Sequence, residues 1–316
     1  MTRKKLILDV DTGTDDAVAV MLAALHPALE LVACTTVNGN VEVHHCTDNT
    51  LRVLDHIARS EVPVHEGLAR PLVRADFPIP RRVDDRAGKF HGKTLPLPEP
   101  KSAKRTTHAV DFLIETFRST TDEITLVPVA PLSNIAAALT LYPKLAELVP
   151  EVVIMGGGHA VGNVTPSAEF NIWADPEAAA VVFSAGFRKL TLVPLDATHR
   201  ALVSRDDCAA LGALGTPAGQ AAATLIGGRI TAHDASQRMG VTHTTPVHDA
   251  LCVASLVDPL IITTRRHHVA VETTGALTMG RTVIDTHARG GGEPQCDVAF
   301  DADPKRFVAM LTETFA

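Results

Sequence analysis

The sequence predicts an α/β fold with a mainly parallel sheet flanked by helices and a small antiparallel extension at the C-terminal end. Short apolar runs alternate with helical patterns from the first residues to about residue 200, the rhythm of strand–helix–strand units. Those runs, at residues 29–37, 124–129, 152–155 and 190–195, are apolar almost throughout, as strands covered on both faces are. The chain's 316 residues and 46% hydrophobic content are enough to bury a full core.

The hub is the stretch KLILDVDTGTDDAVAV at residues 5–20. Leu6, Ile7 and Leu8 read as a buried strand that stops at Asp9. A helical pattern with Ala17, Val20, Met21 and Ala24 on one face starts directly after two adjacent acids. The connection holds four carboxylates, Asp9, Asp11, Asp15 and Asp16. Like charges at about 4 Å repel by roughly 4 kcal/mol per pair at an effective dielectric of ~20, so a bound cation would relieve the conflict. With oxygen donors and no neighbouring Cys or His, that cation is a hard one, Ca²⁺ or Mg²⁺. Helix capping by Asp15 and Asp16 is the alternative, and it leaves Asp9 and Asp11 unexplained.

Along the chain, residues 29–37 form a second strand closing at Asn38-Gly39-Asn40. A helix follows over residues 43–59, then a short strand at 62–64. In parallel sheets ligands sit beyond the carboxyl ends of the strands, where the acids and Asn40 both fall. Residues 67–104 break the rhythm with six prolines and the run Lys89-Phe90-His91-Gly92-Lys93. Such a connection is either a lid bordering an active site or a surface insertion. Alternation resumes with a helix at 106–118, the strand at 124–129, Ala130-Pro131-Leu132-Ser133-Asn134 opening another helix, and the strand at 152–155 ending in Gly156-Gly157-Gly158. Asn163, Glu169 and Asn171 then offer donors and acceptors suited to a polyhydroxylated ligand. Asp175-Pro176-Glu177 marks a helix start, and residues 205–237 read as mostly helical and alanine-rich. Pro246-Val247-His248-Asp249 opens an apolar helix at 250–256, where Asp249 is either a cap or a ligand. The tail at 267–300 reads as antiparallel strands, before a last helix at 304–315.

The net charge of -7 and a pI near 6.1 argue against nucleic acid or an anionic membrane as the main partner. No stretch approaches membrane-spanning length, and the apolar run behind the basic start is broken by Asp9. Five scattered cysteines without a C-x-x-C pair give no zinc site and suit a reducing cytoplasm.

Taken together, DVDTGTDD, TTVNGN, VAPLSNIA, VIMGGGHAVGNVTPSAEFNIWADPEAA and PVHDA resemble the inosine-uridine-preferring nucleoside hydrolases in ordered blocks over nearly the whole chain. The resemblance implies one domain over residues 1–316, a homodimer or homotetramer, and hydrolysis of ribonucleosides to base and ribose. It implies a Ca²⁺ held by Asp11, Asp16, Asp249 and the backbone carbonyl of Val129, and a calcium-held water activated by Asp11. It assigns the ribose to Asp15, Asn40, Asn163, Glu169 and Asn171 with Met155 nearby, and places Asp9 behind the site. In several relatives the histidine of the HD pair, here His248, assists base departure together with tyrosines from the preceding helix. This chain has AHDASQRMG at residues 232–240 and its one tyrosine elsewhere, at Tyr142, which leaves the base preference open. His91, Gln237 and Arg238 are further groups that loop closure would bring to the base. Competing readings are a nucleoside- or ribose-binding protein without catalysis, and a Mg²⁺-dependent phosphohydrolase of the haloacid-dehalogenase type, whose opening motif Asp9-Val10-Asp11-Thr12 matches in part.

Overall fold

The computed structural model describes residues 3–74, 90–237 and 239–316, so residues 75–89 of the proline-rich segment and Arg238 lie outside the described residues. The chain begins with β1 (Lys4–Val10), α1 (Thr14–Leu25), β2 (Leu29–Thr36), α2 (Val43–His56) and β3 (Val64–Glu66). It continues through α3 (Ala109–Ser119), β4 (Ile124–Pro128), α4 (Ser133–Leu141), α5 (Leu145–Leu148) and β5 (Glu151–Met155). Next come α6 (Phe170–Ala174), α7 (Pro176–Ser184), β6 (Leu190–Val193), α8 (Leu195–Thr198), β7 (Leu202–Ser204), α9 (Arg205–Ala213) and α10 (Pro217–Ser236). Last are β8 (Thr244–Pro246), α11 (His248–Val257), β9 (Ile262–Val271), β10 (Thr282–Asp285), β11 (Cys296–Ala302) and α12 (Pro304–Phe315).

Among the described residues, nine strands form one sheet in the order β10-β9-β11-β6-β5-β4-β1-β2-β3. Strands β1 to β6 run parallel, and β11 joins β6 in parallel. The antiparallel tail is not a separate layer, because β9 pairs antiparallel with both β10 and β11 and so lengthens the same sheet. The chain steps from β1 to β2 and β3 on one side, then returns to place β4 on the other side of β1. The strand order therefore reverses between β1 and β4, and the carboxyl ends of these two strands are the usual ligand position in such sheets.

Side-chain alternation along β1 decides which helices cover which face. Leu6, Leu8 and Val10 pack with α1 and α11, whereas Ile7 packs with α3, α4 and α7. All four are fully buried, each contributing roughly 2 kcal/mol relative to exposure. Asp9 shares the face of Ile7 and meets Asn134 of α4, whose Nδ2 donates to Asp9 Oδ1 at 2.8 Å.

Two features differ from the sequence expectation. The alanine-rich stretch is two helices, since Gly215 adopts φ +71° between α9 and α10, a conformation that costs a residue with a side chain. An unanticipated second sheet pairs β7 with β8, Leu202 facing Pro246, and so fixes the chain just ahead of α11. All five cysteines are free and buried. Among the described residues no helix is long and apolar enough to cross a membrane.

Candidate active site

The acids gather where β1 ends and α1 begins. Asp16 is buried in the first turn of α1, its Oδ2 accepting from Gly13 N at 2.9 Å and its Oδ1 from Asp11 N at 3.1 Å. It thus caps the helix, as the plain reading allowed, yet it also belongs to a larger group. Carboxylate oxygens of Asp15, Asp16 and Asp249 all lie within 4.8 Å of one another. Asp249 is no N-cap: Val247 holds that position, and the Asp249 side chain is buried in the first turn of α11, which packs on α1. Asp11 stands beside this trio, its Oδ2 accepting from Asn40 N at 2.7 Å. A Cβ on Gly39 would come within 1.9 Å of that oxygen, so the 38–40 turn reaches the carboxylate only because residue 39 lacks a side chain. Asn40 Nδ2 adds bonds to Asp11 O at 3.3 Å and Asp16 Oδ2 at 3.2 Å.

Burial, reinforced by the neighbouring carboxylates, pushes Asp11 and Asp249 well above the usual range and Asp16 up to about 6. Among the described residues no Lys or Arg forms an ion pair with Asp11, Asp16 or Asp249. Three buried carboxylates without a cationic partner, all oxygen donors, fit a hard divalent cation. Val129 follows β4; its N–H bonds to Asp9 O at 2.9 Å and its carbonyl accepts from Asn171 Nδ2 at 3.0 Å. Behind the acids, Thr35 Oγ1 donates to Asp9 Oδ1 at 2.5 Å, and burial raises Asp9 to about 7.

A second group is tied together by Asn171. Its Nδ2 donates to Val129 O at 3.0 Å and Met155 O at 3.2 Å, which leaves Oδ1 as the atom available to a ligand. Glu169 caps α6, with Asn171 N on Oε1 and Gly157 N and Ile172 N on Oε2. A carboxylate offers about four acceptor sites, so one remains on Oε1. Asn163 Oδ1 accepts from Phe170 N at 2.9 Å, and its carbonyl accepts from Gln237 Nε2 at 3.1 Å.

Burial pushes Glu169 from 4.5 up to about 7. The folded chain therefore binds more protons than the unfolded one between these values, and stability falls as pH rises through that window. The difference corresponds to roughly 3 kcal/mol. Urea unfolding of chelated protein at pH 5 and pH 8 should show wild type losing about 3 kcal/mol more than Glu169→Gln. Equal losses would mean the carboxylate is not held this way.

A third group joins α10 to residues 90–91. Sequence reasoning missed its central member, Arg229, which is 3% exposed and bonds Asp15 Oδ1 through Nη1 at 2.9 Å. His91 is placed beside it, Nε2 at 3.5 Å from the same nitrogen, and burial lowers His91 to about 4. His248 is buried at the start of α11, Nδ1 lying 2.7 Å from Thr198 Oγ1. Burial first, then Arg229 and three other histidines, hold it well below the usual histidine range. The structure thus brings Asp11, Asp15, Asp16, Asn40 and Asp249 together, links Val129, Met155, Glu169 and Asn171, and sets His91 and Arg229 against Asp15.

Residues 6–309 match the family described as inosine-uridine preferring nucleoside hydrolase. The chain belongs to that family. Among its relatives, the pyrimidine-specific ribonucleoside hydrolase RihB of Escherichia coli is 37% identical over 317 residues, covering 99% of this chain and 97% of the relative. RihA of Shewanella woodyi, also described as pyrimidine-specific, is 38% identical over 314 residues, covering 99% and 98%. Among solved structures, a purine-preferring ribonucleoside hydrolase from Gardnerella vaginalis superposes with TM-score 0.89 at 30% identity, covering 99% of this chain and 98% of that one. A plant nucleoside hydrolase gives 0.88 at 30% identity with the same coverage. This nucleoside hydrolase is accordingly an enzyme acting on N-glycosyl compounds, and the phosphohydrolase reading falls away.

Proposed function

We propose that this nucleoside hydrolase cleaves pyrimidine ribonucleosides, with Ca²⁺ bound by Asp11, Asp16, Asp249 and the Val129 carbonyl and with Asp11 as general base. The observation that carries the reading is the buried trio Asp11, Asp16 and Asp249 beside Asp15 at the carboxyl end of β1, none of the three in an ion pair with Lys or Arg among the described residues. The cation, when bound, supplies Lewis acidity that orients a water and the ribose hydroxyls.

Cleavage of an N-glycosidic bond passes through a state with positive charge at the anomeric carbon. Asp11 accepts a proton from the attacking water; its Oδ2 is aimed by the Asn40 N–H at 2.7 Å. The charges of Asp15, Asp16 and Asp249 favour the cationic sugar over the neutral substrate. Asp15, Asn40, the spare Oε1 site of Glu169, Asn171 Oδ1 and Asn163 hold the ribose, with Met155 packed beneath it. His248, its Nδ1 anchored by Thr198, keeps Nε2 for the departing base in this reading. The pyrimidine assignment follows the description shared by relatives 37% and 38% identical, nearer than the purine-preferring structure at 30%. We further read the chain as a cytoplasmic homo-oligomer, in keeping with its five free thiols.

Ribose release from uridine, cytidine, inosine and adenosine, with and without chelator, tests this. Uridine and cytidine should be cleaved on the order of 10-fold or more faster than the purines, the scale that one or two specific contacts supply. Chelation should abolish turnover and calcium should restore it. Faster purine cleavage, or full activity in chelator, would refute the proposal.

A further inference from the structure

Helix α10 brings a buried guanidinium against the acids, and that guanidinium is incompletely bonded. Arg229 Nη1 uses both of its hydrogens, donating to Asp15 Oδ1 at 2.9 Å and Thr14 Oγ1 at 3.1 Å. Arg229 Nε is buried and has no hydrogen-bond partner among the described residues. A buried donor left unmade is costly, more so on a charged group, and such a group calls for an explanation such as a ligand that completes it.

His91 contributes a second unmet donor at the same place. Its Nδ1 accepts from the backbone N–H of Thr14 at 3.2 Å, and a backbone N–H can only donate. Nδ1 therefore carries no hydrogen, and the ring hydrogen sits on Nε2. That atom lies 3.5 Å from Arg229 Nη1, which has nothing to accept with. Two donors thus face each other with no acceptor between them. One turn further along α10, His233 Nδ1 donates to Gln237 O at 2.9 Å, so its Nε2, buried and without a partner among the described residues, carries a lone pair and is an acceptor. Phe90 closes this corner, its ring centre 4.7 Å from the His233 ring and 5.9 Å from the Arg229 guanidinium carbon.

The site is therefore polarised, with carboxylates at the strand ends and the unfilled donors of Arg229 Nε and His91 Nε2 beside α10. N-glycoside cleavage creates a matching pair of charges. The C1′–N bond breaks with its electron pair passing to the base, where a pyrimidine spreads it from the ring nitrogen onto the adjacent carbonyl oxygen. We infer that Arg229, with the Nε2–H of His91 beside it, takes up the negative charge that leaves with the base. The inference rests on the pyrimidine nucleoside reading above. A lone pair of the water oxygen forms the new C1′–O bond, and one water proton goes to Asp11. Solvent protonates the departing base, and Asp11 returns its proton to solvent. Arg229 gives hydrogen bonds throughout and surrenders no proton, as its high pKa requires.

The test compares uridine with a nitrophenyl riboside, whose phenolate is a much weaker base and needs little help to leave. Arg229→Gln should lower kcat on uridine about 100-fold more than on the nitrophenyl riboside, the scale of losing one donor to a developing anion. Arg229→Lys keeps a charge and should recover part of that difference. Equal losses on both substrates would show that Arg229 acts on the sugar through Asp15, and would overturn the inference, as would no loss on either. Melting temperature and calcium affinity are measured alongside. Where the Gln variant does not fold, the same ratio in the Lys variant decides, a selective loss on uridine supporting the inference and an even loss rejecting it. Wild-type protein that released ribose only from purine nucleosides, or from no nucleoside, would instead remove the reading beneath.

Discussion

Asp11→Asn, assayed at saturating calcium, is expected to lower kcat on uridine by about 10³-fold, within the range for loss of a positioned general base. The amide matches the carboxylate in volume, so the tight approach of the 38–40 turn, where Gly39 faces Asp11 Oδ2, is kept. The amide oxygen takes the Asn40 N–H in place of Oδ2, and the NH₂ group then stands where an oxygen had been free to accept a proton. Loss of the base and loss of the ion are separable by titrating calcium into the variant. If affinity holds while kcat falls, Asp11 is the base. A variant with kcat within a few-fold of wild type would dismiss Asp11 from that role.

Asp249→Asn should have opposite effects on the chelated and the calcium-loaded protein. Asp249 is 4% exposed, and burial together with Asp15, Asp16 and Asp11 opposes its ionisation. Without a cation, replacing it by a neutral amide removes that penalty, so the chelated variant should melt above chelated wild type at pH 8. Calcium at about 100 times its dissociation constant adds roughly 2.7 kcal/mol to wild type, a rise of several degrees, and little to the variant. Turnover should fall by about 10³-fold or more, since the ion that orients the water is lost. Differential scanning fluorimetry with chelator and with calcium reads both signs. A variant that melts lower than wild type in chelator and still responds fully to calcium would show that Asp249 serves packing instead.

The parts of this architecture legible in the sequence are those specified locally. The hub strand and its helix were readable because Leu6, Ile7 and Leu8 form an unbroken apolar run and the helical pattern begins right after two acids. The last helix, Pro304–Phe315, falls at the expected bounds, and in the structure Asp303 caps it with Pro304 at its first position. Asp249 was ambiguous on local grounds, because an acid near a helix start reads as a cap, and only packing of α11 on α1 turns it toward Asp16. Arg229 gave no local signal: one arginine inside an alanine- and glycine-rich helix reads as a solvated face. Its carboxylate partner, Asp15, lies 214 residues earlier in the chain. The β7–β8 pair escaped for a similar reason, since three-residue strands carry too little alternation to stand out.

The separate origins of the two ends of the cleft bear on how such an enzyme diversifies. On the proposed assignment, ion and sugar are served by the rims of β1, β4 and β5 and by the opening turns of α1, α6 and α11, rooted in the large sheet. The corner formed by α10 and residues 90–91 contributes no strand to that sheet. If the inferred role of Arg229 holds, selectivity for the leaving heterocycle can drift, or be redesigned, through a handful of helix positions while the hydrolytic apparatus is inherited intact.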